Sequence, residues 1–119
     1  MIDCVYIAAC ARDARFTRIC VASIRCFYPE VPIRLLAGDI LQRGLAKELQ
    51  RYWGVELVDL PKGDYGWGFV KLEPLFAPAG ERFLILDSDT VITGPVLELA
   101  AEHDEDFVVD DEQFDERAK

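Results

Sequence analysis

Arg82-Phe83-Leu84-Ile85-Leu86-Asp87-Ser88-Asp89-Thr90 is an unbroken apolar run that stops abruptly at two carboxylates. The run lacks polar alternation, which predicts a central strand covered on both faces. Residues i and i+2 of an extended chain project to the same side, so Asp87 and Asp89 are expected to turn their oxygens toward one cation. Hard carboxylate oxygens suit magnesium or manganese, and such an ion can bridge onward to a diphosphate. Two like charges at the end of a buried strand would cost on the order of several kcal/mol without a counterion. That cost favours a metal-binding reading over the plain turn in which Asp and Ser often follow strands.

The chain upstream supplies the sheet for that strand. Cys4-Val5-Tyr6-Ile7-Ala8-Ala9 is a second apolar run without alternation. Asp13 is placed to cap a helix whose apolar positions Phe16, Ile19, Cys20, Ile24 and Phe27 recur at helical spacing. Tyr28-Pro29 stops it. Ile33 to Ala37 reads as another buried strand ending at Gly38-Asp39. A helix follows from about Leu41 to Trp53, with Leu45, Leu49 and Trp53 on one face and Gly54 as its stop. Val55 to Leu60 closes a β-α-β-α-β series, which predicts a Rossmann-like parallel sheet with right-handed crossovers. Ligands of such sheets sit at the carboxyl ends of the strands. That rule selects Ala9 and Cys10, with the loop running on to Asp13. No GxGxxG follows the first strand, so a dinucleotide fingerprint is absent.

Between the halves, Pro61 to Gly68 is a glycine-rich aromatic loop that reads as a flap over a ligand or as a long connection. Phe69 to Phe76 is expected to be a short helix facing inward through Phe69, Leu72 and Phe76; Pro74 is tolerated only in a first turn, which leaves the start open. Ala77-Pro78-Ala79-Gly80 breaks it. Beyond the carboxylates, Gly94-Pro95 restarts a helix to about Glu102, and Phe107-Val108-Val109 reads as a strand ending in Asp110-Asp111. The polar tail Glu112 to Lys119 reads as cut rather than finished.

The 119 residues are 51% hydrophobic and 29% charged, the balance of one globular domain spanning the whole chain. The net charge of −9 resides in the second half, whereas the first sixty residues are nearly balanced. An acidic half argues against nucleic acid or an anionic membrane as partner. No basic leader or membrane-length apolar run is present, and a cytoplasmic location is expected. Cys4, Cys10, Cys20 and Cys26 form no CxxC pair and are read as buried free thiols. His103, the only histidine, is read as a solvated surface residue. The Asp110-Asp111 pair is read as part of a solvated acidic stretch.

Val70-Lys71-Leu72-Glu73-Pro74-Leu75-Phe76, followed by Arg82 to Ile92, resembles the core of GT-A glycosyltransferases. The resemblance is closest to the glycogenin and lipopolysaccharide-galactosyltransferase type. It implies a GT-A fold, a mostly parallel sheet flanked by helices, of which this chain would be the nucleotide-sugar-binding part without the acceptor-binding part. It implies that Asp87 and Asp89 bind Mn2+ or Mg2+, and that Lys71 lies close to the nucleotide-sugar. With Ser88 between the aspartates and Ala9 and Cys10 at the first strand's end, these residues make the candidate site. The implied reaction moves a sugar from a nucleoside diphosphate sugar, a UDP-sugar above all, to an acceptor hydroxyl. No base or nucleophile is assigned, and nothing in these residues fixes the stereochemistry. The chain departs from the family in lacking its distant downstream histidine ligand, since His103 follows Asp89 too closely.

Two other readings compete. Leu84 to Val91 also resembles the DxDxT loop of haloacid-dehalogenase-like phosphatases, in which Asp87 would attack phosphorus. That motif usually opens its domain, whereas here a β-α-β-α-β series precedes it. A nucleotide-binding domain without turnover is the third reading, and for this length of chain alone binding without catalysis is expected.

Overall fold

The computed structural model describes residues 1–9, 14–37, 43–58, 69–76 and 80–109. Its centre is a four-stranded, all-parallel sheet in the order β3-β2-β1-β4, where β1 is Cys4–Ala9, β2 is Ile33–Ala37, β3 is Glu56–Val58 and β4 is Phe83–Asp87. The helices are α1 (Ala14–Phe27), α2 (Arg43–Trp53) and α3 (Val96–Ala101), and a 3₁₀ helix spans Phe69–Phe76. The expected α/β architecture with parallel strands and flanking helices is therefore present.

Alternation along the strands divides the core into two layers. Val5, Ile7 and Ala9 of β1, with Ile33 and Leu35 of β2, face a layer built from Cys20, Val21 and Ile24 of α1, Leu45 and Leu49 of α2 and Leu97 of α3. Each fully buried Ile or Leu here contributes about 1.5–3 kcal/mol by leaving water. On the other face, Cys4, Tyr6 and Leu36 pack with Ala8, Val58, Phe83 and Ile85. Tyr6 and Phe83 meet edge to face at 5.4 Å. The 3₁₀ helix packs against β1 and β2.

The chain path explains this layering. Moving from β1 to β2 to β3, it crosses through α1 and α2 on one face. It then reverses past β1 to β4, and a right-handed crossover in the new direction must use the opposite face. The 3₁₀ helix lies in that returning connection. The strand order consequently reverses between β1 and β4, and in open parallel sheets the carboxyl ends of the strands at such a reversal are where ligands bind.

Several expectations need correction. In α1 the buried residues are Thr17, Cys20, Val21 and Ile24, while Phe16, Ile19 and Phe27 are about half exposed. The stripe starting at Thr17 follows helical spacing more closely than the apolar list does, and the buried threonine displaced the expected phenylalanines. Helix α2 is described over Arg43–Trp53, and its expected start near Leu41 lies outside the described residues; Leu45 and Leu49 are buried and Trp53 half-buried as anticipated. Gly54 ends α2 with φ +63°, a left-handed conformation that costs glycine nothing. The third strand is described only over Glu56–Val58.

Strand β4 was expected to be central. Among the described residues it has a strand neighbour on one side only, and Phe83 to Leu86 are half-buried. Phe107-Val108-Val109 forms no strand and is exposed, having no described strand beside it to complete a ladder. Leu72 is exposed, not inward, because the segment winds as a 3₁₀ helix with three residues per turn; Pro74 is buried within it. Helix α3 starts after Pro95, as expected. Cys4 and Cys20 are buried free thiols, but Cys26 is exposed. Cys10, Asp13, Gly38-Asp39, Leu60, the Pro61–Gly68 loop, Ala77 to Ala79, Asp110-Asp111 and the tail lie outside the described residues, as do the side chains of Phe69 and Phe76.

Candidate diphosphate site at the end of the fourth strand

Asp87 ends β4 opposite Ala8 of β1, so it stands where the strand order reverses. Its side chain follows the alternation of Phe83 and Ile85, toward the face where the 3₁₀ helix lies. There Lys71 of that helix brings its Nζ to 2.6 Å from Asp87 Oδ1. Both side chains are reachable from solvent, at 41% exposure for Lys71 and 54% for Asp87. Residues distant in sequence thus form one charged pair at the edge that parallel sheets use for ligands.

The loop after Asp87 is fastened from two elements. The Ser88 amide donates to the Ala8 carbonyl at 3.2 Å, and the Thr90 amide donates to the Asp87 carbonyl at 3.1 Å. From α1, the Cys20 thiol lies 3.9 Å from the Asp87 carbonyl. The Ser23 hydroxyl donates back to the Cys20 carbonyl at 2.7 Å and accepts from the Ile92 amide at 2.9 Å. A serine that bonds its own helix three residues back can bridge to a neighbouring chain in this way. The Ser23 clamp was not legible beforehand, because a half-buried helical serine carries no sequence signal of its partner.

The extended geometry invoked for Asp87 and Asp89 stops at Asp87, since 87–90 is a hydrogen-bonded turn. The alternation rule therefore does not fix where Asp89 points. Electrostatically, Asp89 is felt on the α1 side: burial first, and the Asp89 charge second, push the Cys20 thiol up to about 11. Ser88 is buried between the two exposed aspartates. Ala9 is packed into the core beneath the helices, leaving its backbone rather than its side chain at the end of β1. Cys10 lies outside the described residues. The structure thus brings together Lys71, Asp87, Ser88 and the end of β1.

The donor set decides what kind of cation fits. No group of three or more His, Cys, Asp or Glu side chains capable of holding a metal occurs among the described residues. Magnesium, however, is commonly held by one or two carboxylates plus substrate phosphates, with water filling the remaining positions. Carboxylates such as those of Asp87 and Asp89 are the donors that a cation completed by phosphate and water takes, and no closed all-protein metal cage occurs among the described residues.

No family model, curated protein or solved structure matches the chain.

A cavity of about 620 Å³ lies at the opposite end of the strands, lined by Ile2, Phe27, Tyr28, Val31 and Leu97 among others. It is mainly apolar. The Tyr28 hydroxyl there donates to the Glu98 carboxylate and accepts from the Leu97 amide. This volume is set apart from Asp87, and the chemistry of the carboxylate loop outweighs it as a candidate site. No described helix is long and apolar enough to cross a membrane. His103 is exposed, with Nδ1 3.6 Å from Glu105.

Proposed function

We propose that this chain binds a nucleoside diphosphate sugar together with Mg2+ or Mn2+ at the crevice between β1 and β4, as the donor-binding part of a glycosyltransferase. The observation that carries this reading is the meeting of Lys71 with Asp87 at 2.6 Å, at the point where the strand order reverses. A positive side chain beside exposed carboxylates offers both halves of a diphosphate site: anionic oxygen for a cation, and a cationic donor for phosphate. The likeness of Val70 to Phe76 and Arg82 to Ile92 to GT-A enzymes adds the sugar and the transfer reaction.

A bound divalent cation would supply Lewis-acid neutralisation of the departing diphosphate. The chain's own residues divide the remaining work. Asp87 and Asp89 furnish hard oxygens. Lys71 offers an ammonium donor to a phosphate oxygen. The Ser88–Ala8 and Ser23–Ile92 bonds hold the loop to the rigid sheet and to α1, so that the carboxylates are positioned before ligand arrives.

Calorimetric titration of UDP, with and without Mn2+, into the wild-type chain and Asp89→Ala tests this. Metal-dependent binding that Asp89→Ala loses is the expected result. A folded chain that binds UDP equally with and without Mn2+, or not at all, would overturn the reading.

A further inference from the structure

Resting on that reading, we infer that Lys71 is a resident counterion that keeps a bare divalent cation off Asp87 and transfers to phosphate when a diphosphate arrives. Cation and diphosphate then enter together, and neither occupies the site well alone.

Three observations support this ordering. Lys71 Nζ already occupies one Asp87 oxygen at 2.6 Å, so a cation seeking that oxygen must displace an ammonium group. The exchange is physically easy, because both side chains are substantially solvent-accessible and neither must leave a packed core. The cation also has little to gain by itself, since the described residues form no group of three or more side chains able to hold a metal ion.

Charge balance gives the same order. Asp87, Asp89 and Lys71 together carry one net negative charge, which a lone divalent cation overcompensates. A cation accompanied by a diphosphate adds anionic oxygens at the same moment. Lys71 can then give up Asp87 for phosphate without losing a charged partner. A lysine suits this exchange because its ammonium is a flexible point charge with rotatable donors.

The test titrates Mn2+ alone, followed by the paramagnetic resonance of the free ion, into the wild-type chain, Lys71→Met and Lys71→Gln. Parallel titrations use UDP in the presence of Mn2+. Both neutral variants should bind Mn2+ alone about threefold or more tightly than wild type, the scale of an exposed ion pair removed. They should bind UDP with Mn2+ about tenfold more weakly, the scale of a lost charge-assisted hydrogen bond. Lys71→Arg should keep the wild-type order. The inference is overturned if the neutral variants bind Mn2+ no better than wild type while wild type still binds UDP with Mn2+. Wild type that does not bind UDP with Mn2+ would overturn the site reading on which it rests. Urea midpoints close to wild type, expected for an exposed side chain, confirm that the variants are folded.

Discussion

Arg34 on β2 and Glu81 just before β4 clasp each other across β1, with Nη1 2.8 Å from Oε2 and Nη2 3.2 Å from Oε1. The two-point geometry is the one in which a guanidinium and a carboxylate match best. Arg34 Nη1 also lies 3.0 Å from the Tyr6 hydroxyl, and its guanidinium sits over the Tyr6 ring at 5.6 Å. The clasp lies on the face away from α1 and α2, where the second hydrophobic layer is small. It ties the strand bearing Asp87 to the middle of the sheet.

The clasp should make stability depend on pH in the acid range. The hydrogen bond from Arg34 holds the Glu81 carboxyl below its ordinary value of 4.5. A group depressed in the folded state contributes stability above its unfolded pKa, and that contribution is lost as pH falls through the lower folded value. Urea midpoints of wild type and Glu81→Gln should therefore differ at pH 7 and converge below about pH 4. A difference that stayed constant over that range would remove the carboxylate from the explanation.

Arg25 should prove a structural anchor, not a binding residue. Its Nε donates to the Trp53 carbonyl at 2.7 Å, and its Nη1 to the Val31 and Tyr28 carbonyls at 2.6 and 3.2 Å. One side chain thus satisfies the end of α2 and the turn leading into β2. Arg25→Met would leave these acceptors without their donors and should cost about 1–3 kcal/mol in chemical denaturation. Binding of UDP by the variant under folding conditions should be unchanged; a selective loss of binding would contradict the assignment.

The thiols should separate by reactivity. Cys26 is exposed, whereas Cys20 is buried with its pKa raised from 9.0 to about 11. Alkylation of the native chain at pH 8, mapped by mass spectrometry, should modify Cys26 and spare Cys20. The same shift fixes a sign at alkaline pH. The folded state keeps the Cys20 proton that the unfolded chain loses above pH 9, so this source of stability is present below 9 and vanishes between 9 and about 11. Cys20→Ala should flatten the alkaline fall in stability; an unaltered slope would assign it to other groups.

The parallel sheet was readable from the sequence because β1, β2 and β4 are mostly apolar runs too short to be helices, and α1 and α2 carry helical periods between them. What misled was treating every apolar residue in α1 as inward. Phe16 and Ile19 stand near solvent while Thr17 is buried, because a helix buries a stripe and not a residue class. The status of β4 could not be read either, since an apolar run reports burial of its faces and says nothing of how many strands lie beside it. At the site, the Asp-Ser-Asp loop was visible as a break in hydrophobicity. The turn over 87–90 was missed because strand alternation was extended beyond the strand's end. That Lys71 reaches Asp87 is a tertiary fact, suggested only by resemblance and shown by the packing of the 3₁₀ helix on the sheet.

The pairing of β1 with β4 has a consequence in time as well as in space. Both α1 and α2 connect strands that are near neighbours along the chain, so that half can assemble through comparatively local contacts. The pairing of β1 with β4 instead requires the first strand to find the fourth, after a long stretch of chain has been closed at an entropic cost. Ala8 and Ser88 meet only when that closure is complete. A partly folded chain can therefore possess helices and most of a sheet while lacking any place for a ligand. A ligand that bound only the finished site would draw the population forward by mass action, coupling occupancy to completion of the fold.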